Sequence, residues 1–402
     1  MKTKAILSVI SAFLLMLFFG SIYSWSLFVP FLKSEFGYSA FQTQLIFGTV
    51  IAVFSITMIF VNDLIRKHGL RKVIILAGLL YAIGYAVAFY SQTNFLTVWL
   101  GIGVLGGIST GIGYLVSVSV PALWFPERKG LITGIVSAGF GGGAILHSYI
   151  AETMLKLNFS LFEVICFPAM AYATLIILIA FILQAPEHYH SVKQEKLKLL
   201  PLFKNLNFIR LFIGILTGTF AGLMVIGNLK PIGMQFLSNE IVLATGIGIF
   251  SIANLAGRLS WGWIADHISA HILMPLTLII TGISVVLISF ITLTPLLYYS
   301  LAVFVGFGFG AHLVLYARET AHRFGMDGLA RVYPYVFLGY GLSGILGPVT
   351  GGMLSEATGN FHAAGLVAMS LCFLVAVAMI VERVISNLKK RIKERIIISR
   401  FD

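Results

Sequence analysis

Twelve times along this chain an apolar run recurs that is long enough to cross a hydrocarbon core as a helix, which takes about 20 residues. The runs fall at about 6–30, 42–61, 73–91, 95–120, 131–151, 163–184, 208–229, 242–264, 273–293, 296–316, 330–353 and 362–384. No water is present at that depth to satisfy backbone N–H and C=O groups, so each run must close its hydrogen bonds internally, as a helix does. The expectation is an all-α membrane protein. Composition agrees: 58% of residues are hydrophobic and 10% charged, where a soluble domain carries about 25% charge. Met1-Lys2-Thr3-Lys4 imitates the start of a secretory signal, but the apolar run continues past Phe19 with no small-residue cleavage site, so it is read as the first helix.

A net charge of +12 invites a nucleic-acid reading. Its distribution argues otherwise. With both ends placed in the cytoplasm, every Lys and Arg falls in an inner segment except Lys33, Lys156, Lys230 and Arg258. That asymmetry is the positive-inside bias of membrane proteins, which sets topology and implies no nucleic acid. The basic tail Lys389-Lys390-Arg391-Ile392-Lys393-Glu394-Arg395 serves as an orientation signal or faces anionic inner-leaflet lipid. Lys230 lies late in the seventh run and is expected to snorkel outward.

The eighth run contains a charge. Arg258 sits well inside the stretch Ile241–Ala265, where a guanidinium costs about 2.5–3.5 kcal/mol on the mildest insertion scale. Such a residue faces a partner or a water-filled cavity, or it snorkels about 8–12 Å along its helix to the interface. Its permanently charged planar fork suits a carboxylate held by two parallel hydrogen bonds. Asn254, one turn earlier, projects from the same face. All fifteen Asp and Glu fall at predicted span ends, in loops or in tails. A mid-span acid for cationic drugs is therefore missing.

The chain divides near its middle. Six runs precede the polar stretch Gln184–Lys198 and six follow it. The halves echo each other at short range: Gly139-Phe140-Gly141 and Ile145-Leu146 recur as Gly339-Tyr340-Gly341 and Ile345-Leu346. Internal repeats of this kind mark transporters whose site lies between two halves near the midplane. The boundaries expected are 1–184 for the amino-terminal half, 185–207 for a cytoplasmic linker, 208–384 for the carboxy-terminal half and 385–402 for the tail.

Several motifs resemble the major facilitator superfamily, within its oxalate:formate antiporter and monocarboxylate transporter branch. They are Trp124-Phe125-Pro126-Glu127-Arg128-Lys129-Gly130 with Ala138–Gly143, then Tyr23-Ser24-Trp25-Ser26-Leu27, Gly257-Arg258 with Gly262-Trp263-Ile264-Ala265-Asp266, and Ala330-Arg331-Val332-Tyr333. The resemblance implies twelve helices in two pseudo-symmetric six-helix halves. It places Arg258 on the substrate carboxylate, Tyr114 and Tyr23 across the cavity, Phe309 in the site wall, and Asp266 as a conformational latch at a helix end. The loop after the second helix departs from the superfamily pattern, with Arg66 where an acid is wanted and Asp63 displaced by nearly a turn. Asn254 stands where animal relatives have an Asp and cannot titrate. Tyr340 stands where the antiporter carries a Lys, so one cation remains, matching one carboxylate better than two.

Two membrane histidines stay open between two roles. His312 and His147 are each either a proton carrier or a neutral, hydrogen-bonded core residue. Cys166 and Cys372 fall within spans and suggest neither a disulfide nor a metal site. No phosphate-binding loop, H-E-x-x-H or dinucleotide fingerprint occurs, so no enzyme and no cofactor is expected, and energy must come from a gradient. The expectation is a secondary transporter of small carboxylates in a bacterial inner membrane, multi-pass and monomeric. Its partners are protons or a counter-anion, and membrane lipids. Proton symport is ranked over exchange, and transport over a non-transporting receptor.

Overall fold

A computed structural model describes residues 2–125, 128–186 and 199–398. Pro126 and Glu127 of the junction motif and residues 187–198 of the expected linker lie outside the described residues, as do the side chains of the basic tail. Twelve helices are long and apolar enough to span a membrane: α1 (Thr3–Leu27), α2 (Ala40–His68), α3 (Leu70–Ser91), α4 (Phe95–Trp124), α5 (Ile132–Lys156), α6 (Leu161–Ile182), α7 (Leu206–Met234), α8 (Glu240–His267), α9 (Ala270–Phe290), α10 (Pro295–Gly325), α11 (Arg331–Thr358) and α12 (His362–Ile385). This is the all-α architecture expected. An even number of spans puts both chain termini at one end, called here the near end.

Helix starts follow local chemistry. The side chains of Ser39, Asn205, Asn239 and Thr294 accept from backbone N–H groups of the first turns of α2, α7, α8 and α10, satisfying donors that have no partner inside the helix. Several helices outrun the apolar stretches, α10 by reaching Gly325 and α4 by reaching Trp124. Backbone hydrogen bonding continues past the point where side chains turn polar. At Gly325 a φ of 76° breaks the run from α10 into α11, a left-handed conformation that glycine adopts without Cβ strain.

The packing shows the twofold repeat. In the amino-terminal half α1 packs on α5, α2 on α4 and α3 on α6; in the other half α7 packs on α11, α8 on α10 and α9 on α12. The halves meet through α2 with α11 and α5 with α8, again equivalent pairs. Between apolar helices there is little hydrophobic drive, so close approach of small residues holds them together. The repeated glycines do this work. A Cβ on Gly139 would strike the Phe13 carbonyl of α1, and one on Gly339 would come within 2.8 Å of the Phe212 carbonyl of α7. Helices α3, α6, α9 and α12 turn large apolar side chains outward, among them Ile83, Phe181, Ile272 and Leu374, as helices facing lipid tails must.

Candidate substrate-binding site

The site forms where α1, α2, α4 and α5 of one half meet α8, α10 and α11 of the other. Arg258 is 7% exposed and Asn254 fully buried. Four residues apart on α8, they share a face, and Arg258 Nε donates to Asn254 Oδ1 at 3.2 Å. Gly310 of α10 makes this possible, because a Cβ there would strike the Asn254 carbonyl and approach the Arg258 backbone N–H. Among the described residues no Asp or Glu pairs with Arg258. Its charge lies in a low-dielectric setting with only neutral groups beside it, the Asn254 amide and the Tyr23 hydroxyl among them, a costly state that a bound anion relieves. The Asn254 Nδ2 group is also buried without a hydrogen-bond partner, so a donor stands ready next to the guanidinium.

Aromatic residues surround this pair. The guanidinium lies within electrostatic range of the Tyr23, Tyr333 and Tyr340 phenols. Tyr23 of α1 and Tyr340 of α11 share a hydrogen bond with their oxygens 2.8 Å apart, joining the two halves. Phe309 of α10 closes on both, with ring centroids 6.2 Å from Tyr23 and 6.5 Å from Tyr340. Tyr114 of α4 packs on Phe54 at 4.8 Å and on Phe337 at 6.3 Å. Phe140 of α5 lies 5.2 Å from Tyr23 and 5.5 Å from Tyr114.

Beyond the cage, toward the far end, further contacts join the two halves. Gln44 Nε2 of α2 donates to the Gly227 carbonyl and to Asn228 Oδ1 of α7, both at 2.9 Å. Lys33, in the short helix Val29–Phe36 that follows α1, pairs with Glu356 of α11 at 3.6 Å. Tyr23 and Tyr340 are buried while Tyr114 and Tyr333 are half-buried, so the surface that the cage leaves exposed lies on the near side.

The sequence therefore places six residues that the fold brings together: Arg258, Asn254, Tyr23, Tyr114, Tyr340 and Phe309. Others sit apart. His312 is buried two residues past Gly310, so it points to the opposite side of α10, against Gly218 of α7, with Nε2 3.1 Å from Thr281 Oγ1 of α9. His147 packs inside the amino-terminal half, its Nδ1 3.4 Å from the Tyr172 hydroxyl. Asp266, at the near end of α8, pairs with Arg318 of α10 at 3.3 Å within its own half. Asp63 pairs locally with Arg66 at 2.8 Å. Lys230 does not snorkel: it is 2% exposed, held by Glu240 at 2.6 Å and lying 4.7 Å above the Phe31 ring of the other half. A counter-charge at the start of α8 makes burial cheaper than reaching for water. Phe54, Phe337 and Phe140 join the cage unforeseen, though the repeat that pairs Phe140 with Tyr340 was a signal for the last.

The sequence profile of the Major Facilitator Superfamily matches residues 10–333 and 247–395. The MFS-type transporter YhjX of Escherichia coli (strain K12) is 27% identical over 331 residues, covering 81% of this chain and 82% of that protein. The oxalate:formate antiporter of Oxalobacter formigenes is 24% identical over 362 residues, covering 88% of this chain and 84% of its own length. Among solved structures, an inward-facing, unoccupied bacterial homologue of the human lysosomal transporter Spinster superposes with a TM-score of 0.64 at 16% identity, covering 96% of both chains. Profile, relatives and helix pairing agree, and the chain belongs to the Major Facilitator Superfamily, with relatives that include the oxalate:formate antiporter and monocarboxylate transporters.

Proposed function

We propose that the protein carries small monocarboxylates, of lactate or pyruvate size, by alternating access around Arg258. The observation that carries this reading is one buried guanidinium with no acidic partner among the described residues, inside a cage of phenols and phenyl rings. The fork of Arg258 takes the carboxylate in two parallel hydrogen bonds. Asn254 Nδ2 offers a further donor, and Phe309, Phe54 and Phe337 give the alkyl end an apolar wall. Tyr340 supplies a phenol rather than a second cation, so a dianion would keep one uncompensated charge in low dielectric. The oxalate:formate antiporter among the relatives supports a small organic anion as cargo.

Transport follows from charge. Closing the halves around an empty Arg258 buries a bare cation, whereas a bound anion cancels it, so the loaded carrier changes conformation more readily. Proton symport is the reading preferred. Since His312 and His147 lie off the cage, the proton rides most simply on the carboxylate or a water at Arg258, with the two histidines as alternatives. Exchange of one anion for another is the second reading, favoured by the same bare cation because Asn254 cannot neutralise it on an empty return. Asp266 with Arg318 serves as a latch at the near end. By the positive-inside bias that end is cytoplasmic, the membrane is a bacterial inner membrane, and the carrier works as a monomer among lipids.

The test is uptake of labelled lactate, pyruvate, formate and oxalate into proteoliposomes at two pH values. Gradient-driven uptake of the monoanions into vesicles loaded with buffer alone supports symport. Uptake that requires internal anion leaves exchange, and saturable binding without flux would make the protein a receptor.

A further inference from the structure

A polar cavity lies inside the carboxy-terminal half at the near end, and Arg258 is not part of it. It encloses about 300 Å³ and gathers Arg210 from α7, His271 from α9, Arg323 from α10, and Glu382 and Arg383 from α12. These helices pack on one another around it, so the walls are set by the fold. Two of the guanidiniums are partly withdrawn from solvent, that of Arg210 34% exposed and that of Arg323 18%, while Arg383 is exposed at the rim.

The charges do not cancel. Glu382 pairs with Arg210 and Glu319 with Arg323, each at 2.6 Å and each through Nε. Asn207 Oδ1 accepts from Nη1 of Arg210 at 3.3 Å and of Arg323 at 2.5 Å. Arg323 Nη2 lies 3.4 Å from His271 Nδ1. That leaves donors on both forks without a partner among the described residues, and Arg383 makes no hydrogen bond or ion pair with any of them. Two carboxylates face three guanidiniums.

Guanidinium forks converging on a concave site match the tetrahedral oxygens of a phosphate, which each fork can grip bidentately. The volume sits at the lower end of ligand pockets. Leu211, Met274, Pro275 and Met379 form the apolar part of the lining, and beyond it Ile272, Leu276 and Ile380 stand exposed on α9 and α12. Polar head and apolar flank thus follow one another, the arrangement by which basic pockets between membrane helices hold phosphate headgroups. We propose that this cavity binds a phosphate group, carried by an anionic lipid headgroup or by a free phosphate solute. The site owes nothing to Arg258 and stands whether or not the protein carries carboxylates.

The experiment uses the full chain, stripped of lipid in detergent, with three probes: short-chain phosphatidylglycerol, short-chain phosphatidylcholine and inorganic phosphate. Binding is read by melting-temperature titration and by native mass spectrometry, with sodium chloride matching ionic strength. Arg383→Gln removes a side chain with no partner among the described residues, and Arg210→Gln leaves a Glu382 that water can solvate. Each should weaken binding about tenfold, roughly 1.4 kcal/mol, while Arg258→Ala binds as the wild type does. Preference for phosphatidylglycerol over both other probes identifies a headgroup site, and equal saturable binding of inorganic phosphate identifies a solute site. Binding unchanged in both variants, or absent for phosphatidylglycerol and phosphate alike, overturns the proposal.

Discussion

Removing either phenol of the Tyr23–Tyr340 pair should shift the carrier toward the state open at the far end. The two oxygens are 2.8 Å apart and lie on helices of different halves, so the bond exists only while the halves are closed above the site. A buried hydroxyl that loses its partner costs about 1–3 kcal/mol, whereas in the open state water replaces the partner. The closed state is then weakened by a factor of roughly 5–150. The two variants are not equal. In Tyr340→Phe, the Tyr23 hydroxyl still has the Arg258 guanidinium as a hydrogen-bonding neighbour, placing its effect near the low end. In Tyr23→Phe, the Tyr340 hydroxyl loses the only side-chain hydrogen bond found for it among the described residues, so the shift is larger. The double variant removes both hydroxyls and should recover most of the loss, since apolar replacement of both partners is nearly neutral. Spin labels at Thr93→Cys and Ser238→Cys, exposed at the far end on different halves, report the separation; native Cys166 and Cys372 are buried. Wild-type distances in both single variants, or a double variant that moves further than either single one, would refute the reasoning.

Arg258→Ala should abolish substrate binding, and Arg258→Lys should weaken it at least tenfold, roughly 1.4 kcal/mol, because the planar fork is lost; affinity near wild type in folded Arg258→Ala protein removes Arg258 from the site. Tyr340→Lys should move the preference from lactate toward oxalate in competition assays, and unchanged ranking would show that charge count at this position does not set selectivity. For the buried cation at the far end, Glu240→Gln leaves Lys230 without its counter-charge and should lower the melting temperature more than Lys230→Met, which removes charge and cation–π contact together; equal losses contradict that order. The double variant His147→Gln, His312→Gln should retain pH-dependent uptake, and its loss would put the proton on one of the histidines.

Hydropathy alone determined that the chain crosses a membrane twelve times, because a helix in lipid must satisfy its own backbone over a fixed length. The Arg258–Asn254 pair was equally legible, since residues four apart on a helix share a face and an intramembrane charge demands a reason. Resemblance placed Tyr23, Tyr114, Phe309 and Tyr340 around them. What only the tertiary structure decided was direction. Lipid tails and a protein core are both apolar, so an apolar helix carries little in its pattern to say which face turns inward. Two residues of sequence separate Gly310, which presses on Asn254, from His312, which points away toward α7 and α9. Phe54 and Phe337, in different halves, meet at 5.8 Å, and Lys230 finds its counter-charge in Glu240. Which groups meet across the halves is settled by packing, where small residues let helices approach, and not by the composition of any one span.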